Sequence, residues 1–195
     1  MGHAGMAAAA VRYLRSADGE RGPVDALPRP ELRCVREDER PPVPPSEFRR
    51  VLGCFATGVT VVTAVDDGAP VGFACQSFTS LSLEPPLVAF MVGRTSTTWP
   101  RIARAGAFCV NILAAHQAPL CRAFAVSGAD KFAGVTYDPS PVSGSPRLTD
   151  TLAWIDCTIH AVHPGGDHLI VVGRVTALDT RHETAPLLFH RGRFR

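Results

Sequence analysis

Seven short apolar runs, mostly β-branched and bounded by turn residues, constrain this chain more than any other feature. They are Val59–Val65 (VTVVTAV), Val71–Gln76 (VGFACQ), Leu87–Gly93 (LVAFMVG), Ala107–Leu113 (AFCVNIL), Leu152–Val162, Leu169–Leu178 and Pro186–Gly192 (PLLFHRG). Runs of this length and composition read as strands. Asp66-Asp67-Gly68 predicts a hairpin turn between the first two, and Pro164-Gly165-Gly166 another between the fifth and sixth. Hairpins pair neighbouring strands antiparallel. The expected fold class is therefore mainly β with a few packed helices, as an antiparallel sheet or closed barrel and not a doubly wound parallel sheet.

Three helices complete the pattern. Ser46 is expected to cap a helix through SEFRRVLGCFA, with Phe48, Val51, Leu52 and Phe55 on one apolar face. Thr57-Gly58 ends it. Thr95-Ser96-Thr97-Thr98 opens a short helix carrying Trp99 and Ile102, with Pro100 tolerated in its first turn. Ala115 to Val126 gives the third.

A chain of 195 residues, 46% hydrophobic and 19% charged, suits one domain that buries its own core. Charge and proline are unevenly spread. Residues 1–47 carry seven Arg against eight Asp or Glu, and seven of the seventeen prolines fall between Pro23 and Pro45. Residues 1–45 are read as a poorly ordered leader and 46–195 as the folded body. A net charge of +2 gives no basic surface for nucleic acid. No apolar run approaches the roughly 18 residues of a membrane span. Met1 to Ala10 lacks the basic start of an export signal. The six cysteines are scattered without a C-x-x-C pair, so buried reduced thiols and a cytoplasmic location are expected. Lysine occurs once, at Lys131, against nineteen arginines, a skew that accords with a GC-rich coding bias.

The chain has no G-x-G-x-x-G after a strand, no P-loop and no G-x-S-x-G. His160, His163 and His168 invite a metal reading, but His160 and His163 point to opposite faces of one strand, so no metal is expected. Gly72 to Pro86 is more informative. There a strand runs into a loop bearing Gln76, Ser77, Thr79, Ser80 and Ser82, donors and acceptors suited to the polar edge of a heterocycle. Thr95 to Thr98, with Arg94 and Arg101 nearby, suits a phosphate. His168 sits where a tight turn enters a strand, and Leu187 to Gly192 adds an aromatic, a His and an Arg. Together these features point to a phosphorylated heterocyclic ligand. Cys75 is read as an inert buried thiol in preference to a redox nucleophile.

The order of these motifs resembles the short-chain flavin reductases, the reductase components of two-component flavin-dependent monooxygenases. The matching text runs FRRVLGCFATGVTVVTA, PVGFACQSFTSLSLEPPLVAF, STTWPRI, GAFCVNIL, DKFAGV, LAWIDCT, GGDHLIVVGRV and PLLFHRGRF, over about residues 47 to 194. The resemblance implies an FMN-binding split barrel of Greek-key type, built as a homodimer. It implies reduction of FMN or FAD by NADH, or NADPH, and diffusion of reduced flavin to an oxygenase of an aromatic, phenol- or steroid-type or secondary-metabolite substrate. By matching positions, Pro70, Val71, Gly72, Phe73, Ala74, Cys75, Gln76 and Ser77 would line the isoalloxazine and ribityl chain. Met91, Val92 and Gly93 would follow from the next strand. Thr97 and Thr98 would take the phosphate, and Ala123 and Phe124 would complete the pocket. His168, with Phe189, His190, Arg191 and Gly192, would contact the nicotinamide nucleotide, His168 positioning it for hydride transfer. His190 stands where the family's F-Y-R-G form has an aromatic. A non-catalytic flavin-binding protein on the same barrel is the second reading, and His168 discriminates the two. A third reading has the leader dock the oxygenase.

Overall fold

The computed structural model describes residues 43–181 and 184–195. The expected leader, apart from its last three residues, lies outside them. Helix α1 (Pro45–Leu52) comes first, then β1 (Thr57–Gly58), β2 (Thr60–Asp66), β3 (Ala69–Cys75), β4 (Thr79–Leu83) and β5 (Pro86–Gly93). Helix α2 (Trp99–Ala105), β6 (Ala107–Ile112), a 3-10 turn (Ala115–Gln117) and α3 (Ala118–Ala125) follow. The rest is β7 (Tyr137–Pro139), β8 (Pro146–Leu148), β9 (Ala153–Gly165), β10 (His168–Thr180), β11 (Leu188–His190) and β12 (Arg193–Phe194). The fold is mainly β with few helices. No helix among the described residues is long and apolar enough to cross a membrane.

Seven strands form one antiparallel sheet in the order β3-β2-β6-β9-β10-β5-β4. Its edge strands, β3 and β4, are consecutive in sequence and joined by Gln76, Ser77 and Phe78 alone. From Cys75 to Thr79 an extended backbone reaches at most about 14 Å. The edges of a flat seven-stranded sheet stand about 29 Å apart. The sheet must curl until its edges meet, and it does. The rings of Phe73 on β3 and Phe90 on β5 lie 5.9 Å apart. Ser77 Oγ donates to the Met91 carbonyl and accepts from the Met91 N–H, both at 2.9 Å. Met91 lies beyond the β4 ladder, which ends at Thr79 opposite Ala89, and the Ser77 hydroxyl takes the place of a neighbouring strand there.

Alternation along β2 feeds two cores. Val62 and Ala64 point inside the curl with Phe90, Phe108, Val110 and Val171, where Trp99 and Ile102 of α2 join them. Val59 and Val61 point outward into a second cluster with Leu113, Phe124, Leu148 and Leu187. Buried polar groups fix the strands to their covers. Asn111 Nδ2 donates to the Val61 and Pro146 carbonyls at 3.2 Å each, and its Oδ1 accepts from Leu148 N at 2.8 Å, pinning β8 over β2 and β6. Asp156, fully buried, accepts from the Val142 and Ser143 amides at 3.1 and 3.0 Å. Asp66, at the end of β2, takes Arg101 Nε and Arg104 NH2 at 2.8 Å each, fastening α2 to the first hairpin.

The structure departs from the sequence expectations at three elements. Ser46 does not cap α1. Pro44 holds that position with no side-chain cap, Pro45 opens the helix, and the helix stops at Leu52 and not at Ala56. Proline fits the first turn because its missing N–H has no partner to lose there. The hydroxyl-rich stretch after Phe78 is not a loop but edge strand β4, paired with β5 through a turn containing a cis Glu84–Pro85 bond. The long hairpin turns at Gly166-Asp167, later than expected. His163, Pro164 and Gly165 belong to β9, opposite Ile170, Leu169 and His168.

Two predictions follow from the packing. A Cβ on Gly173 of β10 would overlap Cζ of the fully buried Phe108. Gly173→Ala is expected to cost about 1–3 kcal/mol in urea unfolding, with strand content by circular dichroism retained. The two guanidiniums also hold the Asp66 carboxyl below its ordinary value of 3.8. Its ion pairs thus stabilise the fold above that value, and the contribution is lost as pH falls through the lowered one. The melting-temperature gap between the wild type and Asp66→Asn is expected to be full at pH 6 and to shrink below about pH 4.

Candidate functional site

Closure through a hydroxyl and side chains leaves a gap between β3 and β5, and a groove runs along it. Three compartments follow one another from Ser77 back to Pro70. The first, about 580 Å³, is walled by Phe73, Ala74, Cys75, Gln76 and Ser77 on one side and Met91, Val92 and Gly93 on the other. His168, Phe189 and Phe194 reach it from the hairpin turn and the C-terminal strands. The second, about 300 Å³, is a neck lined by Thr95, Ser96, Thr97, Thr98, Phe124, Ser127 and Lys131. The third, about 420 Å³, is lined by Pro70, Val71, Gly72, Thr97, Thr98, Arg101 and residues 128–132. Phe73, Ala74, Gly93, Ser96 and Ala125 are shared by the first and second, and Thr97, Thr98 and Lys131 by the second and third.

Glycines make the groove. A Cβ on Gly93 would point to within 3.9 Å of His168 Nε2 and Thr95 Oγ1, so bare backbone lies where the first compartment meets the neck. A Cβ on Gly72 would lie 2.9 Å from the Phe124 ring, so that glycine lets α3 close over β3.

His168 opens β10 opposite Gly93 on β5. Its Nδ1 lies 2.7 Å from Asp167 Oδ1, the acceptor of their hydrogen bond, which leaves Nε2 as the ring nitrogen without a protein partner among the described residues. The same hydrogen bond holds the Asp167 carboxyl below its ordinary value. Arg94 fixes the turn itself: its Nε donates to the Gly166 carbonyl at 2.9 Å and its N–H to the Asp167 carbonyl at 3.0 Å. The hydroxyl-rich neck sits before α2, where Ser96 Oγ accepts from Trp99 N at 3.1 Å. Lys131 Nζ donates to the Gly72 carbonyl at 3.1 Å, and burial pulls its ammonium below the ordinary lysine value.

Most of the residues expected at the site gather along this groove, each in a definite compartment. Phe73 to Ser77, Met91 to Gly93, His168 and Phe189 surround the first. Thr97, Thr98 and Phe124 line the neck, and Pro70 to Gly72 the far end. Others lie elsewhere. Ala123 and His190 do not line the groove, and Arg191 faces a separate cavity with Arg49, Arg50 and Cys54. Arg191 has a positive φ of 49° in the turn between β11 and β12, with its amide on the Gly53 carbonyl at 2.9 Å. The Ser77 hydroxyl is spent on Met91, and Thr79, Ser80 and Ser82 lie on β4, away from the groove. Lys131 was missed. Its signal was there, as the single lysine of an arginine-rich chain, but its distance in sequence from Gly72 hid the contact.

Burial pushes the Cys75 thiol up, and Sγ lies 3.3 Å from Ser77 Oγ with no cation beside it among the described residues, so it is a wall of the first compartment and not a nucleophile. Among the described residues no group of three His, Cys, Asp or Glu side chains is placed to hold a metal ion.

The donor set fits a flavin nucleotide. The first compartment offers apolar and aromatic walls for a flat ring system, the neck a row of hydroxyls for a polyol, and Lys131 a cation for a phosphate. Comparison with known proteins agrees. The chain is 54% identical over 152 residues to the reductase subunit HsaB of a flavin-dependent monooxygenase from Rhodococcus jostii, covering 78% of this chain and 77% of that one. It is 50% identical over 161 residues to a flavin reductase of Pseudomonas putida, covering 82% and 94%. Among solved structures it resembles the NADH:FAD oxidoreductase SgcE6 of Streptomyces globisporus, in complex with NAD and FAD fragments. That match has a TM-score of 0.73 at 39% identity, over 77% of this chain and 90% of the other. A nitrilotriacetate monooxygenase component B homolog from Mycobacterium thermoresistibile matches with a TM-score of 0.74 at 51% identity, over 77% and 84%. The family model for the flavin reductase like domain matches residues 52–195, nearly the whole described body, and the chain belongs to that family.

Proposed function

We propose that this protein is the reductase component of a two-component flavin-dependent monooxygenase. It takes a hydride from a nicotinamide nucleotide, reduces FMN or FAD and releases the reduced flavin to a separate oxygenase acting on an aromatic, phenol- or steroid-type substrate. The observation that carries this reading is the convergence of His168, Gly93 and Phe189 on one side of a compartment whose other wall is Phe73 to Ser77. A flavin, when bound, supplies the hydride acceptor. The protein's part is to bind and orient. Ala74 and Met91 present apolar contact to a ring. Thr97, Thr98 and Lys131 hold a phosphate by hydroxyls and charge. His168, steadied by Asp167 and the Arg94-pinned turn, places a nicotinamide nucleotide against the ring at the roughly 3–3.5 Å that hydride transfer needs. No proton has to move through a side chain for that step.

A split-barrel homodimer is part of the same reading. Among the described residues nothing lies over the apolar side of α1 and of the turn after it: Phe48 and Leu52 are exposed and Phe55 is 75% accessible. Those three, with Gln76 and Phe189, line a groove of about 470 Å³ that shares the last two residues with the first compartment. A second copy laid there would cover apolar surface and complete the ring compartment at once.

Three outcomes are expected. The purified chain consumes NADH when FMN or FAD is added, followed at 340 nm. No oxidation with FMN, FAD or riboflavin would favour the non-catalytic flavin-binding reading. His168→Ala raises KM for NADH about tenfold, the loss of one positioning contact, and raises KM for flavin less. Light scattering gives a mass near twice the 20.8 kDa chain, and Phe55→Asp lowers it toward one.

A further inference from the structure

The seam between β3 and β5 is closed at one point by a side chain standing where a strand would otherwise lie. Ser77 Oγ gives its one proton to the Met91 carbonyl and accepts the Met91 N–H, both at 2.9 Å. The Cys75 thiol lies 3.3 Å from the same oxygen. With the hydroxyl proton already committed, the thiol is the donor of that pair. A hydroxyl has one donor and two acceptor sites, so Ser77 has none left for a ligand. It lines the ring compartment with no free polar group to offer it.

Both sides of this contact are held firmly. Ser77 lies between Cys75, buried in the inner core, and Phe78, which packs against the same core. Met91 stands two residues before Gly93, and Gly93 is the ladder partner of His168. Arg94, the next residue, holds the hairpin turn through its N–H on the Asp167 carbonyl and its Nε on the Gly166 carbonyl. Among the described residues no backbone hydrogen bond crosses from β3 to β5. One hydroxyl therefore joins the wall from Phe73 to Ser77 to the strand that carries the His168 turn.

We propose that Ser77 is a positioning residue for hydride transfer. Through Met91 it sets the spacing between the wall that takes the flavin ring and the His168 turn that places the nicotinamide. The proposal rests on the flavin-reductase reading above, and it adds the residue that fixes the spacing of the two substrates. Spacing weighs more on the transfer than on binding, because a misplacement of about 1 Å costs a reaction on the order of 100-fold in rate. Loss of the hydroxyl is thus a loss of rate before it is a loss of affinity.

The test compares Ser77→Ala, Ser77→Thr and Ser77→Cys in the full chain with Arg104→Ala, whose side chain fastens α2 to Asp66 away from the seam. Three quantities are read: amide hydrogen exchange along β5 in flavin-free protein, flavin Kd by fluorescence, and the rate of flavin reduction in one anaerobic turnover at saturating NADH. Ser77→Ala is expected to exchange faster from Met91 to Gly93. It reduces flavin at least about tenfold more slowly, while its flavin Kd rises by no more than about threefold. Ser77→Thr keeps the hydroxyl and restores both exchange and rate. Ser77→Cys, a weaker donor, falls between, and it carries the comparison should Ser77→Ala not fold. Arg104→Ala lowers the melting temperature but keeps the wild-type rate and the wild-type exchange in β5. Unchanged exchange at Met91 in Ser77→Ala overturns the proposal. So does an Arg104→Ala chain that slows reduction as much, or a Ser77→Thr chain as slow as Ser77→Ala. A working wild type matched in rate by Ser77→Ala sinks the proposal and leaves the reductase reading standing. A wild type that oxidises NADH with none of FMN, FAD and riboflavin sinks both.

Discussion

A three-residue link between the two edges of one sheet governs this structure. β3 and β4 sit at opposite ends of a seven-stranded order, yet Gln76, Ser77 and Phe78 are all that separate them. So short a link cannot cross a flat sheet, and curling is the only geometry that satisfies both the ladder and the chain. The meeting edges are not zipped by backbone pairs where the site lies. One hydroxyl, that of Ser77, satisfies Met91 on both its donor and its acceptor, and the Phe73 and Phe90 rings meet inside. A full ladder there would have joined β3 to β5 and filled the groove.

The rest of the site follows from that seam. The wall from Pro70 to Ser77 and the wall from Met91 to Gly93 face each other because they are its two sides. The His168 turn is carried to it by the β10 ladder with β5, and Arg94 stops the turn from swinging. Helix α2 ends the second wall and brings the hydroxyl neck with it. Asp66 ties α2 back to the first hairpin, so one carboxylate serves both stability and the placing of Arg101.

Much of this was legible in the residues, and most of what was not depends on partners distant in sequence. All seven strand runs were visible as apolar, β-branched stretches, and the first hairpin was fixed by Asp66-Asp67-Gly68. β4 was not visible, because Thr79 to Leu83 is an exposed edge whose hydroxyls look like a loop when the pairing with β5 is unknown. The Ser46 cap failed for a local reason: the two prolines before it, Pro44 as cap and Pro45 as first residue, open the helix two residues early. Arg191 looked like part of a nucleotide motif, but the turn into β12 aims it at another cavity. Lys131 looked like a compositional accident and lies on the groove.

The sequence by itself determined seven of the strands, the hairpins between neighbours and the family to which the motifs point. Those properties depend on residues a few positions apart, where side-chain size and backbone preference act directly. Only the tertiary structure decided which end of β3 meets His168, which hydroxyls are spent on the backbone, and that Arg101 and Lys131 share a compartment. Lys131 and Gly72 are 59 positions apart, and Asp66 and Arg101 are 35. Such pairs are set by the curl of the sheet and the docking of α2 and α3 upon it, since charge and hydrogen bonding act through space and not along the chain.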